Sequence, residues 1–242
     1  IDSLKLLEIK GVEPSLRMGQ TRWYKQPDPN SMFVVALDPS SGTGGDNAAI
    51  QVLELSTMTQ IAEWCHNKTP IEGQMKAMLD ILMYLKECKC DQLYWSVENN
   101  SIGEAALVVI RDTGEETFPG DFLHEPKRIQ GKKGRKGFHT THKSKMEGCL
   151  FLKRLVEQDK IKLKSKMLVS ELKNFVSRAN SFAAKPGEYD DLVMSLVIAV
   201  RMIQYIGTFE EQVYDQINSG LGPGFSEDDY DDADGPMPVG II

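Results

Sequence analysis

Three acidic positions stand where predicted strands or helices end or begin. Asp38 and Glu98 each follow a short apolar run directly, and the pair Asp190–Asp191 opens the last long one. Carboxylates gathered in one place repel one another unless a cation neutralises them, and Mg²⁺ and Mn²⁺ prefer oxygen ligands. Two such ions about 3.5–4 Å apart can activate water and stabilise the leaving oxygen of a phosphodiester. If the fold brings these acids together, they predict a two-metal site for phosphodiester hydrolysis.

Each acid also has a structural interpretation. Asp38 precedes Pro39 and is typical of a turn. Asp190 and Asp191 suit an N-cap and a first-turn partner of the helix dipole, and Glu98 suits a loop. The position of all three at element ends, in this order of elements, favours the metal site over the separate interpretations.

A glycine-rich turn, SSGTGGD, covers residues 40–46 and superficially resembles a phosphate-binding loop. That motif needs a lysine after its last glycine, whereas Gly45 is followed by Asp46. An acid there would repel phosphate, so the turn is not an ATP site. Asp46 is left with two interpretations, an auxiliary to a metal ligand or a hydrogen-bonding group within the turn.

Hydrophobic periodicity predicts an α/β fold. Three consecutive apolar runs joined by short turns indicate strands in hairpins, and alternating helices and strands follow them, which is typical of a mixed sheet covered by helices. The expected strands are residues 32–37, 48–55, 59–64, 92–97 and 121–124. The expected helices are residues 71–86, 142–160, 167–177 and 190–206, together with one that Asn100 or Ser101 caps and that ends at residue 111.

The charge distribution indicates a polyanionic partner, although the net charge is −7. Residues 202–242 hold nine acidic residues and no Lys or Arg, which leaves 28 basic and 26 acidic residues in the first 201. Within these, residues 127–145 carry a basic stripe that no acid interrupts. Such a stripe is typical of contacts to DNA phosphates, which carry no base information; the alternative is a solvated loop. The basic stripe consists of Lys127, Arg128, Lys132, Lys133, Arg135, Lys136, Lys143 and Lys145.

Composition limits the remaining classes of protein. The 242 residues suit one sizeable domain plus a tail, and no apolar run approaches the roughly 20 residues that cross a bilayer. The four cysteines lack the spacing of a zinc site, which favours free thiols in a reducing, cytoplasmic setting. From Gly220 onward, the glycine, proline and acidic content is typical of disorder.

Four stretches together resemble the C-terminal nuclease domain of large terminase subunits, of the contractile-tailed bacteriophage kind. The likeness spans about residues 22–206, and its most specific part is GEYDDLVMSL. The resemblance implies an RNase H-like mixed β-sheet flanked by helices and a nuclease that cuts concatemeric phage DNA during packaging. The four stretches are FVVALDPSSGTGGDNAAIQVLEL, YWSVENNSIGEAA, KSKMEGCLFLKRLVEQDKIKL and GEYDDLVMSLVIAV.

The resemblance also implies a set of site residues. The catalytic acids of the family fall on Asp38, Glu98 and Asp191, with Asp190 as the second candidate of its pair and Asp46 as an auxiliary acid. Together these would hold Mg²⁺ or Mn²⁺, expected as two ions, and the basic stripe would line the DNA groove.

The domain organisation and partners follow from the same resemblance. Residues 1–30 are expected to be a linker from a missing upstream ATPase domain, residues 31–208 the nuclease domain, and residues 209–242 an acidic, disordered tail. The expected partners are double-stranded DNA, a portal protein, a small terminase subunit and the ATPase domain of the same chain. The expected location is the cytoplasm of an infected host cell, without membrane contact or secretion.

Three alternatives remain open at the level of sequence. The same fold serves junction resolvases and transposases, which would prefer branched DNA. A non-cleaving DNA-binding or motor-docking module would bind DNA without cutting it under any cation. The acidic tail could also mimic DNA and cover the basic groove.

Overall fold

A mixed sheet of seven strands forms the centre of the computed structural model, which describes residues 1–90, 92–125, 136–178 and 181–219. The strands are β1 (Leu16–Met18), β2 (Thr21–Trp23), β3 (Phe33–Asp38), β4 (Ala48–Glu54), β5 (Thr59–His66), β6 (Leu93–Val97) and β7 (Asp121–Phe122). Their spatial order is β1-β2-β5-β4-β3-β6-β7. The β3–β6 and β6–β7 pairs are parallel, and the other pairs are antiparallel.

Helices cover both faces of this sheet, and a separate two-stranded antiparallel hairpin lies beside them. The helices are α1 (Ser3–Glu8), α2 (Ile71–Glu87), α3 (Gly103–Thr113), α4 (His142–Glu157), α5 (Lys166–Asn174), α6 (Asp191–Ile206) and α7 (Glu211–Asn218), with a 3₁₀ turn at Glu115–Thr117. The hairpin strands are β8 (Phe175–Arg178) and β9 (Ser181–Ala184).

The alternation of side chains along β3 divides the core between the two faces. Val34 and Ala36 pack towards α4, α5 and α6, whereas Phe33, Val35 and Leu37 pack towards α2 and α3. A strand covered on both faces reads as a continuous apolar run, and this is why the run was recognisable in the sequence. The predicted mixed sheet flanked by helices is confirmed.

Helix α6 is buried on nearly all sides, because every residue from Leu192 to Ile203 lies in the core. A helix that is apolar all round packs inside a protein or inside a membrane. Within the described residues, no single helix is long and apolar enough to cross a membrane. Helices α6 and α7 taken together have the length and composition of a span, but they are bent by 119° relative to each other.

Two predicted helices end earlier than expected. The helix predicted to reach residue 177 ends at Asn174, and the chain continues as β8. Phe175 and Val176 have the aromatic and β-branched side chains that strands favour, and Phe175 stacks on Phe182 across the hairpin with ring centroids 6.2 Å apart. The helix predicted to reach residue 160 ends at Glu157, shortly before Asp159 adopts a left-handed φ of 56°.

The terminal segments contribute more to the domain than the sequence indicated. Within residues 1–30, β2 pairs with β5 and Trp23 is buried in the core, so this part of the expected linker belongs to the sheet. Helix α7 lies beyond the expected boundary at 208, yet Val213 and Ile217 pack into the core. Residues 220–242 of the expected tail lie outside the described residues.

Candidate active site

The parallel pairing of β3 and β6 brings two of the predicted acids together. Leu37 lies opposite Val97 in the register, and the N–H of Glu98 donates to the carbonyl of Leu37 at 2.8 Å. Asp38 and Glu98 therefore occupy neighbouring positions at the carboxyl ends of adjacent strands, and Glu98 is close enough to raise the pKa of Asp38 beyond the effect of burial. In open α/β sheets this edge is where ligands bind.

Glu98 is buried, with 5% of its surface exposed, and Asn100 holds its carboxylate. The Nδ2 group of Asn100 donates to Glu98 Oε2. The Oδ1 atom of the same side chain accepts the N–H groups of Ile102 and Gly103 at 3.0 and 2.8 Å. Asn100 thus holds the turn that leads into α3 and orients the acid at the same time.

Asp191 is the first residue of α6 and faces the turn between β3 and β4. Its Oδ2 atom accepts two hydrogen bonds from Asn47, one from the backbone N–H at 3.1 Å and one from Nδ2 at 2.8 Å. The N-terminus of a helix also favours a negative charge. The carboxylate of Asp191 is therefore held by groups from two separate parts of the chain.

Asp190 and Asp46 lie beside this group in different environments. The Oδ2 atom of Asp190 accepts the N–H of Ala184 at 3.2 Å, which ties it to β9. Asp46 is exposed in the glycine-rich turn, and its charge contributes to the raised pKa of Asp191. Of the neighbouring pair, Asp191 is thus the residue held by the β3–β4 turn, whereas Asp190 anchors the hairpin.

The carboxylates of this cluster raise one another's pKa values through their charges. Burial raises the pKa of Asp38 well above its usual value, and Glu98, Asp191 and Asp190 raise it further through their charges. Burial also raises the pKa of Asp191, against the opposing effect of its hydrogen bonds from Asn47. A cluster that resists ionisation in this way would be relieved by a divalent cation.

The donor set fits a magnesium- or manganese-type ion, because carboxylate oxygens are the ligands that these cations prefer. Within the described residues, no three His, Cys, Asp or Glu side chains have the spacing of a preformed metal site. The fit therefore rests on the chemistry of the acids and their mutual repulsion.

Glu171 on α5 is an acid that sequence reasoning missed. Its Oε2 atom accepts the N–H of Val193 in the first turn of α6 at 3.1 Å. Burial raises the pKa of Glu171 to about 8, and the charges of Asp191 and Asp190 contribute to that rise. The periodicity of α5 contains no signal for this role, since the contact depends on how two helices pack.

Cys65 lies on β5, near Glu171 and Asp191. Burial raises the pKa of its thiol to about 12, with further contributions from Glu171 and Asp191. The thiol is free and stays protonated at neutral pH, so it resembles an apolar neighbour more than a metal ligand.

The glycine-rich turn is held by the protein itself. Buried Gln74 accepts the N–H of Ser40 at 3.2 Å and donates to its carbonyl at 2.8 Å. The N–H of Gly44 donates to Asn67 O at 2.8 Å. The N–H of Gly42 also donates to Ser40 Oγ at 3.4 Å, so three backbone N–H groups of the turn are engaged in contacts within the protein.

The basic stripe is only partly described. Lys136 forms an ion pair with Glu115 at 2.8 Å, Lys143 is exposed at the start of α4, and the Nζ atom of Lys145 lies 5.9 Å from the ring centroid of Phe175. Phe175 pairs with Ala184 in the hairpin, and the N–H of Ala184 donates to Asp190, so Lys145 lies on the side of α4 that is near this acid. Five members lie outside the described residues: Lys127, Arg128, Lys132, Lys133 and Arg135.

The described ends of the segment that carries the stripe are fixed next to Glu98. Phe138 forms a bridge with Glu98, and the N–H of Glu125 donates to Gly137 O at 3.0 Å. Arg201 on α6 donates to Glu125 Oε1 at 2.9 Å and to His139 O at 3.2 Å. The helix that carries Asp191 therefore also fixes the residues on both sides of residues 126–135.

Several solved structures that share this fold are viral terminase nuclease domains. The large terminase nuclease of thermophilic phage G20c with bound magnesium aligns with a TM-score of 0.60 at 17% identity, covering 81% of this chain and 94% of that one. The large terminase nuclease domain of Thermus phage P74-26 aligns with a TM-score of 0.58 at 17% identity, covering 91% and 97%. The manganese-soaked, inhibitor-bound terminase nuclease domain of human cytomegalovirus aligns at 0.53 and 14% identity, covering 84% and 94%.

These likenesses establish the fold, which is the RNase H-like fold of terminase nuclease domains. The similarity predicted from the four sequence stretches is thereby confirmed at the level of structure. No protein-family model matches the chain.

Proposed function

We propose that this chain is a divalent-metal-dependent, largely sequence-nonspecific DNA endonuclease that cuts concatemeric viral DNA during genome packaging. The observation that carries the proposal is the position of Asp38 and Glu98 side by side at the carboxyl ends of parallel strands, with Asp191 at the adjoining helix start. The terminase nuclease domains that share the fold were crystallised with magnesium and soaked with manganese, which supports the same class of cation here.

Asp38, Glu98 and Asp191 would hold two ions, with Asp190 and Asp46 adding negative charge around them. When bound, the ions would activate the attacking water and stabilise the leaving oxygen of the phosphodiester. Asn47 and Asn100 orient Asp191 and Glu98 respectively by hydrogen bonds to one carboxylate oxygen each. Such outer contacts fix the geometry of metal ligands and influence affinity strongly.

The substrate of this proposal is double-stranded DNA, bound through its phosphates. Lys145 lies on α4 beside the hairpin that holds Asp190, and Lys143 is exposed at the start of the same helix. Both would contact the DNA backbone, together with the stripe members outside the described residues. Contacts of this kind read no bases, in keeping with cleavage that tolerates many sequences.

The test is incubation of supercoiled plasmid with this chain in magnesium, manganese or EDTA. Asp191→Asn replaces the proposed ligand by a neutral isostere, and Asp80→Asn is the matched control because Asp80 pairs with Lys76 on the exposed face of α2. We expect metal-dependent nicking and linearisation by the parent and by Asp80→Asn, and none by Asp191→Asn.

The other outcomes separate the rival functions. Intact plasmid under every cation, combined with DNA binding, would favour a docking module over a nuclease. Preferred cutting of four-way junctions over linear duplex would favour a resolvase. Equal cutting by Asp191→Asn and the parent would remove the site assignment.

The finer context is proposed on the resemblance to terminases. The partners would be a portal protein, a small terminase subunit and an ATPase domain upstream in the same chain, and the place of action would be the host cytoplasm. Co-purification of the full-length protein with a purified portal would test the first of these contacts.

A further inference from the structure

Helix α6 begins without a side-chain cap from its own N-terminal residue. Asp190 occupies the N-cap position, but its carboxylate does not cap the helix and accepts the N–H of Ala184 instead. The first N–H groups of any helix have no partner within the helix and need an acceptor from elsewhere. The first turn of α6 is also the turn that carries Asp191.

Glu171 supplies the missing acceptor from the neighbouring helix. Its Oε2 atom accepts the N–H of Val193 at 3.1 Å, and the N–H of Leu192 also contacts the carboxylate. Helix α5 is itself well anchored: Ser165 caps it and donates to buried Glu63 at 2.7 Å. The capping residue Glu171 therefore belongs to a helix whose own N-terminus is fixed.

We propose that Glu171 is a positioning residue that caps α6 from α5 and thereby sets the direction of the Asp191 carboxylate. Asp191 and Val193 share one helical turn, so a fixed Val193 N–H fixes the backbone from which the Asp191 side chain projects. Asn47 then holds the carboxylate itself at 2.8 Å. The inference rests on the proposed nuclease function and adds a residue to it.

Three substitutions at this position separate capping from charge. Glu171→Gln keeps an acceptor oxygen at the same reach and removes the charge, whereas Glu171→Asp keeps the charge and withdraws the acceptor by one methylene. Glu171→Met keeps the length and has no acceptor. If Glu171 acts as a cap, the Gln variant should keep more amide protection and more cleavage activity than the Asp and Met variants. If it acts as a metal ligand or through its charge, the Asp variant should be more active than the Gln variant. Glu211→Met, at an exposed position of α7, is the control for loss of an acid.

Amide hydrogen exchange in the metal-free chain measures directly how well the first N–H groups of α6 are protected. Loss of a helix cap costs about 1 kcal/mol, so we expect the Leu192 and Val193 amides to exchange about fivefold faster in Glu171→Asp and Glu171→Met. Glu171→Gln and Glu211→Met should keep the protection of the parent. Unchanged protection in the Asp variant, or in the Met variant where it folds, would overturn the proposal.

The rate of plasmid cleavage then tests whether loss of the cap displaces the Asp191 carboxylate. We expect kcat to fall roughly tenfold to hundredfold in Glu171→Asp and Glu171→Met, with KM for DNA unchanged and most of the rate kept by Glu171→Gln. A Gln variant as inactive as the Met variant would contradict positioning. If the parent chain itself cuts no DNA, the proposed function fails, but the exchange measurement still decides whether Glu171 caps α6.

Discussion

Gly103 offers a sharp test of where Glu98 must lie. This residue begins α3 so close to the Glu98 backbone that an added Cβ would stand 1.8 Å from the Glu98 carbonyl oxygen and 2.8 Å from its carbon. Real Cβ contacts essentially never fall below 3.0 Å, so an alanine must move the two apart by at least 1.2 Å. Both atoms belong to backbone, and neither can swing aside as a flexible side chain could.

The expected effect of Gly103→Ala on stability is small, and its effect on cleavage is large. Alanine in a helix is favoured over glycine by about 1 kcal/mol, which offsets part of the roughly 1–3 kcal/mol typical of overpacking. We therefore expect a loss of about 2 kcal/mol or less in the free energy of unfolding. A displacement of about 1 Å at a catalytic group can cost about 100-fold in rate, and that is the loss we expect in plasmid cleavage.

The assay is the initial rate of nicking in saturating Mn²⁺, paired with thermal unfolding of each variant. Gly45→Ala is the matched control, because an added Cβ there meets no atom within 4 Å and its φ is not in the left-handed region. We expect the control to cut at the parent's rate. A folded Gly103→Ala protein that also cuts at that rate would refute the reasoning, since Glu98 would then tolerate displacement or take no part in the chemistry.

Three further predictions follow from the electrostatics of the site. The pKa of Glu171 is raised from 4.5 to about 8, so the folded state holds this proton more tightly than the unfolded one. The metal-free protein should then lose stability as pH rises between these values, by up to about 4 kcal/mol, and Glu171→Gln should flatten the curve measured in EDTA; a slope equal to the parent's would contradict this. Asn47→Ala should raise the Mn²⁺ concentration needed for half-maximal cleavage roughly tenfold or more, and an unchanged metal titration would show that its two hydrogen bonds do not orient Asp191. Lys145→Ala should lower the slope of log affinity for DNA against log salt by about one, whereas Lys76→Ala, on the opposite face of the sheet, should leave it unchanged; equal slopes in both variants would remove Lys145 from the DNA surface.

Much of the architecture was readable along the chain. The run from Phe33 to Leu37 is apolar on both faces because helices cover the sheet on both sides, and α6 is apolar all round because it is buried. Such patterns are local and can be recognised without knowing which element packs against the strand or helix. They placed Asp38, Glu98 and Asp191 at element ends, although their catalytic roles stay predictions.

The short elements were not readable in this way. Strands β1 and β2 have three residues each, too few for a period to emerge, and they join the sheet only because β2 pairs with β5, a strand far along the chain. Helix α5 ends at Asn174 since Phe175 pairs with β9, a contact that helical periodicity does not encode.

By itself, the sequence determined the order of the longer strands and helices, the acids at their ends and the clustering of basic residues along the chain, because each is encoded in neighbouring residues. Only the tertiary structure decided that Asn47 holds Asp191, that Asn100 holds Glu98 and that Glu171 caps α6. These contacts depend on the register of β3 with β6 and on the packing of α5 against α6. Residues distant in sequence meet there only because burial of the apolar faces brings their backbones together.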